Sequence, residues 1–147
     1  MKRWRRFVLT CMLVLSVPLV FIGCGTSFTS NGQRIFFTAT SSSGQPIIPQ
    51  GFNMMMNRIT CANCHGPEGK GGTVSIMMQR FDVPEITWPE LTGIHHEDHP
   101  PFTEETVKQA ITRGLDPAGN RLESFMPRWQ LSAPDLDDLV AYLKTLK

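Results

Sequence analysis

Two cysteines three positions apart with a histidine directly after them, Cys61-Ala-Asn-Cys64-His65, can do three kinds of chemistry. They could hold a zinc ion, close a redox disulfide, or bond covalently to a porphyrin whose iron the imidazole then meets. A structural zinc site wants four ligands drawn from cysteine and histidine, and His95, His96 and His99 are the residues able to complete one. A thioredoxin-like disulfide belongs beside a βαβ pattern, and the sequence shows none. A plain disulfide suits an oxidising compartment but leaves His65 without a task. The haem reading uses all three residues. Each thiol adds to one vinyl group, two intervening residues let both sulfurs reach from one helical turn, and the next residue turns its imidazole to the iron. That reading demands a sixth ligand further along, on a segment able to cover the other haem face.

The remaining two cysteines lie near the amino terminus. "MKRWRR" is a basic leader, and "FVLTCMLVLSVPLVFI" is an apolar run of sixteen residues that contains Cys11 and Pro18. A membrane-spanning helix needs about twenty apolar residues, so this run reads first as an export signal over residues 1–23. The junction "FIGC" resembles the lipobox of bacterial lipoproteins and makes Cys24 the candidate lipid site, although Phe21 stands where leucine is usual. An uncleaved anchor and ordinary cleavage are the other two outcomes. Either a lipid or an anchor would tether the domain to a membrane, facing the periplasm or the outer side of the cytoplasmic membrane. Gly25 in place of aspartate favours outer-membrane sorting if the host has that membrane. After Gly23 the chain has ten basic and thirteen acidic residues, a formal −3. No basic surface suited to nucleic acid follows from that balance.

The rest of the chain meets the demand for a sixth ligand through a resemblance. The haem motif with its following "HGPEGKGG", the segment "AITRGLDPAGNRLESFMPRW" and the carboxy-terminal "DLDDLVAYLKTLK" together resemble the class I cytochromes c. The likeness implies one covalently attached haem c, with Cys61 and Cys64 as thioether bonds, His65 as proximal ligand and Met126 as distal ligand. It also implies an all-α fold with crossed amino- and carboxy-terminal helices around the haem. Single-electron transfer between redox protein partners is the expected function. A haem subunit of a larger respiratory or dehydrogenase complex is the alternative, and a gas sensor or peroxidase with open iron is a further one.

The elements that must position these groups are partly visible. Ser132 with Asp135 makes a helix start, and Leu136, Leu139, Val140, Leu143 and Leu146 form one stripe at helical spacing. Phe52, Met55, Met56 and Ile59 form a second stripe leading into Cys61, expected to be the helix that crosses the last one. A third helix is expected over 103–113, capped by Thr103 and stopped by Gly114. Many class I cytochromes carry a glycine and an aromatic residue four apart ahead of the first cysteine. Here the positions four and eight before Cys61 are Asn57 and Asn53, a departure. Residues 24–33 read as a flexible tether and 34–147 as the domain. Ile35 to Thr40 reads as extended and "SSSG" as a turn, which predicts a short hairpin before the first helix.

Other residues have weaker claims. Arg113 and Arg121 could pair with the haem propionates, and Asn120 and Trp129 could touch the haem edge. Pro84 or Pro67 could offer a carbonyl to the second nitrogen of His65. The run "GIHHEDHPP" reads as a solvated loop, or else as a metal site or a replacement ligand for the iron. Met54 to Met56, Met77 and Met78 are expected to pack in the core or the haem pocket. The glycines after the motif lack the Lys-Ser/Thr of a phosphate loop and are expected to lie close to the porphyrin.

Overall fold

The computed structural model describes residues 27–50, 59–76, 78–95 and 97–147. Cys24, His96, Met77 and the stripe at Phe52, Met55 and Met56 lie outside the described residues. The described residues hold five helices: α1 Asn31–Thr38, α2 Cys61–His65, α3 Trp88–Leu91, α4 Glu104–Arg113 and α5 Ala133–Leu143. Four strands form two antiparallel pairs, β1 Pro49–Gln50 with β4 Arg128–Trp129 and β2 Gly72–Ile76 with β3 Gln79–Val83. The fold is therefore helical with two small β elements, which corrects the all-α expectation. No described helix is long and apolar enough to cross a membrane.

The helix that packs on the carboxy-terminal helix is α1. Ser30 starts it by accepting from the Gln33 backbone N–H at 3.1 Å, and Ala39 ends it in the left-handed region at φ 48°. The extended reading of Ile35 to Thr40 is thus overturned. Asn31, Gly32 and Gln33, assigned to the tether from sequence, are instead the first residues of α1. Gly32, Ile35 and Phe36 form its buried face. A Cβ on Gly32 would stand 1.9 Å from the Asp138 carbonyl oxygen, so glycine is what lets the two helices approach. Asn31 ties the pair together, its Nδ2 donating to Asp135 at 2.9 Å and Asp138 at 2.8 Å. Gly32 and Phe36 are a glycine and an aromatic residue four apart. The departure inferred at Asn57 and Asn53 disappears, because the pair sits further upstream.

The turn read from "SSSG" is present, with Ser41 accepting from the Gly44 N–H at 3.0 Å and Thr40 bridging to Pro46. Beyond it, Pro49 and Gln50 pair with Trp129 and Arg128. The segment before the haem motif thereby braces the chain just after Met126.

α4 begins and ends where the sequence puts it. Thr103 and Thr106 cap each other's backbone N–H, and Gly114 terminates the helix at φ 66°. α5 starts at Ser132, whose hydroxyl accepts from the Asp135 N–H at 3.3 Å and donates to the Asp135 carboxylate at 2.7 Å. Leu139, Val140, Leu143 and, past the helix end, Leu146 join Ile35, Phe36, Leu91, Val107, Ile111 and Trp129 in one core. Each such side chain contributes roughly 1.5–3 kcal/mol when fully buried.

The β2–β3 hairpin pairs Gly72 with Val83 through to Ile76 with Gln79. Met78, just before β3, sits at φ 67° and is 100% exposed. The expectation that Met78 packs in the core or pocket is therefore overturned, since a tight hairpin turn faces outward.

Candidate functional site

A cavity of about 320 Å³ opens in the core, lined by Cys61, Cys64, His65 and Met126 together with Leu91, Val107, Ile111, Trp129, Leu139 and Leu143. The structure thus brings the four residues singled out from sequence to one space, walled largely by aliphatic and aromatic side chains.

Local sequence explains how the first three are held. α2 is a single short helix, and it exists because Thr60 and Asn63 cap it reciprocally. The Thr60 hydroxyl accepts from the Asn63 N–H at 3.2 Å, and the Asn63 side chain accepts from the Thr60 N–H at 2.9 Å. Cys61 and Cys64 lie one turn apart on it as free thiols. Burial pushes the Cys61 thiol up to about 12 and also raises Cys64. Burial thus favours the neutral form of both thiols.

His65 is buried, and its Nδ1 lies 2.9 Å from the Pro84 carbonyl oxygen. Of the two carbonyls expected from sequence, Pro84 supplies the contact. A protonated Nδ1 donating to that oxygen leaves Nε2 as the nitrogen free to ligate. Burial lowers the imidazole's proton affinity, while the Pro84 bond works the other way. Pro84 is held by the loop that follows the motif. The Gly71 N–H donates to the His65 carbonyl at 2.9 Å, and a Cβ on Gly71 would stand 2.3 Å from the Val83 oxygen and 2.7 Å from the Pro84 oxygen. With φ at 70° as well, that position requires glycine.

Met126 reaches the cavity from the loop between α4 and β4. Its neighbour Phe125 packs on Phe81 of the hairpin, ring centroids 4.4 Å apart. The hairpin therefore covers the methionine loop, a contribution absent from the sequence reading. Its signal was the alternation of Val74 with Ile76 and of Phe81 with Val83, the period of a half-buried strand.

The secondary candidates separate. Trp129 is buried and lines the cavity. Arg113 and Arg121 are exposed and lie outside the lining, as does Asn120, which bonds Asp116. His95 pairs with Glu90 at 3.0 Å. His99, read from sequence within a solvated loop, lines the cavity and packs edge-on to Phe102 with centroids 5.1 Å apart. Among the described residues no three of His, Cys, Asp or Glu converge to hold a metal ion, so a zinc site gains no support there.

Two free thiols one turn apart, an oriented imidazole and a thioether on one apolar cavity are a donor set that fits a covalently held haem. The family comparison agrees with the site. The family model described as cytochrome c matches residues 30–147, from the cap of α1 to the last residue. No curated protein and no solved structure gives a significant match. Because the matched span takes in both terminal helices and every residue of the cavity, this chain belongs to the cytochrome c family.

Proposed function

We propose that this protein is a monohaem cytochrome c with His65 and Met126 as axial ligands, tethered to a membrane by its amino-terminal segment, that carries single electrons between redox proteins outside the cytoplasm. The family gives it a haem-based electron-transfer role and a haem held, as is typical of the family, by covalent bonds. The ligand pair, the single haem and the tether are the proposal's own. One observation carries it: Met126 lines the same cavity as Cys61, Cys64 and His65.

Bound there, the haem supplies a one-electron couple at iron. Cys61 and Cys64 would hold it permanently through their thiols. The Pro84 carbonyl orients His65 and raises its basicity as a donor. Met126 would offer a thioether as the second iron ligand, which favours the reduced state relative to a second histidine. The aliphatic side chains of the cavity would limit water around the bound group. The tether reads from "MKRWRR", the apolar run and Cys24. It would confine the domain near membrane partners and raise its effective concentration there.

The experiment is Met126→Ala in the haem-loaded protein. Haem should stay attached by intact mass, the reduction potential should fall, and carbon monoxide should bind the ferrous iron. Unchanged potential and unchanged carbon monoxide binding would rule out the methionine ligand. The same mass spectrum on the parent reports the tether, since a cleaved, lipidated chain starts at Cys24.

A further inference from the structure

We propose that Arg128 is the positioning residue that holds Met126 on the iron, a proposal that rests on the His65/Met126 ligation above. Its guanidinium closes the methionine loop on itself. Nη1 donates to the carbonyl of Met126, and Nη2 donates to the carbonyl of Leu122 at 2.9 Å and of Glu123 at 3.4 Å. Those carbonyls belong to a loop without a ladder of its own, and a charged donor satisfies them more strongly than a neutral one. The arm is anchored at its root. The Arg128 backbone pairs with Gln50 across β1–β4, and the next residue, Trp129, is buried in the core.

The guanidinium is also seated against the end of α4. Gly114, the residue that stops α4, faces it. A Cβ there would stand 1.7 Å from Nε and 1.9 Å from Cζ of Arg128. The Leu122 N–H donates back to the Gly114 carbonyl at 2.9 Å. Any side chain at position 114 would displace the guanidinium and with it the loop's closure. Planarity and a fixed fork of donors are what let one side chain serve several carbonyls. Lysine would bring the charge without the fork.

The test reads how often the methionine leaves. Imidazole binds ferric haem when Met126 is off the iron, so its apparent affinity scales with the open fraction. In the haem-loaded full-length protein, Arg128→Lys should bind imidazole ~10-fold or more tightly than the parent, the effect expected from losing charge-assisted hydrogen bonds. In a Met126→Ala background the same substitution should change imidazole affinity by less than ~2-fold, because the coupling runs through the methionine. An unchanged affinity in the single variant overturns the proposal, as does an equal gain in both backgrounds, which marks a general structural role. If Met126→Ala itself fails to raise imidazole affinity, the ligation reading fails first and this proposal with it. Should Arg128→Lys not take up haem, Gly114→Ala makes the same test with the arginine in place. It should raise imidazole affinity only when Met126 is present.

Discussion

Asp116 shows how one carboxylate organises the turn ahead of the methionine loop. Its Oδ1 accepts from the Ala118 and Asn120 N–H groups, each at 2.8 Å, and its Oδ2 accepts from the Asn120 side chain at 2.9 Å. Burial works to raise its proton affinity, yet these bonds and the charge of His99 together hold it below the ordinary carboxylate range. A depressed value means stability that is present above the unfolded value and lost as pH falls through the folded one. Asp116→Asn keeps the shape but turns an NH₂ toward donors, and should cost ~1–3 kcal/mol at pH 7. Urea unfolding at pH 7 and pH 3 checks it. The deficit should begin to shrink at the lower pH, where the unfolded parent's carboxylate takes up its proton, and an equal deficit at both would show that the charge is immaterial. At this scale the meeting of Cys61, Cys64, His65 and Met126 on one cavity was legible from the motif and the family resemblance, and Pro84 was one of the two carbonyls expected beside His65. His99 and Arg128 were not legible. Their places depend on loop paths set by distant contacts, such as the Phe102 N–H bond to the Leu91 carbonyl and the β1–β4 pair.

Among the elements, α1 is the instructive one. "RIFFTAT" is rich in β-branched and aromatic residues, which favour strands when taken alone. Packing overrides that preference, because Gly32 and Phe36 seat the helix against α5. The apolar positions from Phe52 to Ile59 offered a competing stripe, and the carboxy-terminal helix needed a partner. Where capping and periodicity agreed, as in α4 and α5, the sequence placed the elements well. Gly32→Ala separates local preference from packing. In an exposed helix interior the change should stabilise by ~1 kcal/mol. Here the added methyl meets a backbone carbonyl at 1.9 Å, which no rotamer can relieve. We expect a net loss of ~3 kcal/mol, the upper end of overpacking penalties. Thermal unfolding measures it, and a variant as stable as the parent would mean that the helices do not meet at Gly32.

For the whole molecule, the same residues serve as core and as cofactor wall. Leu91, Val107, Ile111, Trp129, Leu139 and Leu143 belong both to the main hydrophobic cluster and to the cavity lining. A domain of this kind cannot fold first and fill later without carrying a hole at its centre. At roughly 24 cal/mol per Å³ for an enclosed cavity, a space of about 320 Å³ sets an upper bound of ~8 kcal/mol, because this one opens to solvent. Small domains have only about 5–15 kcal/mol of net stability, so a deficit near that bound would be comparable to everything that holds the fold together. On the proposed ligation the cofactor would complete the core, and attachment through Cys61 and Cys64 would be a folding device as much as a redox one. Replacing both cysteines, Cys61→Ser with Cys64→Ser, should yield a chain without covalent haem and without a sharp thermal transition. Helical circular dichroism should fall and near-ultraviolet signals from Trp129 should fade, as the packing around that ring is lost. Retention of a cooperative transition within a few degrees of the loaded protein would show that the walls collapse onto one another. In that case α1, α4 and α5 would form a core sufficient without the porphyrin.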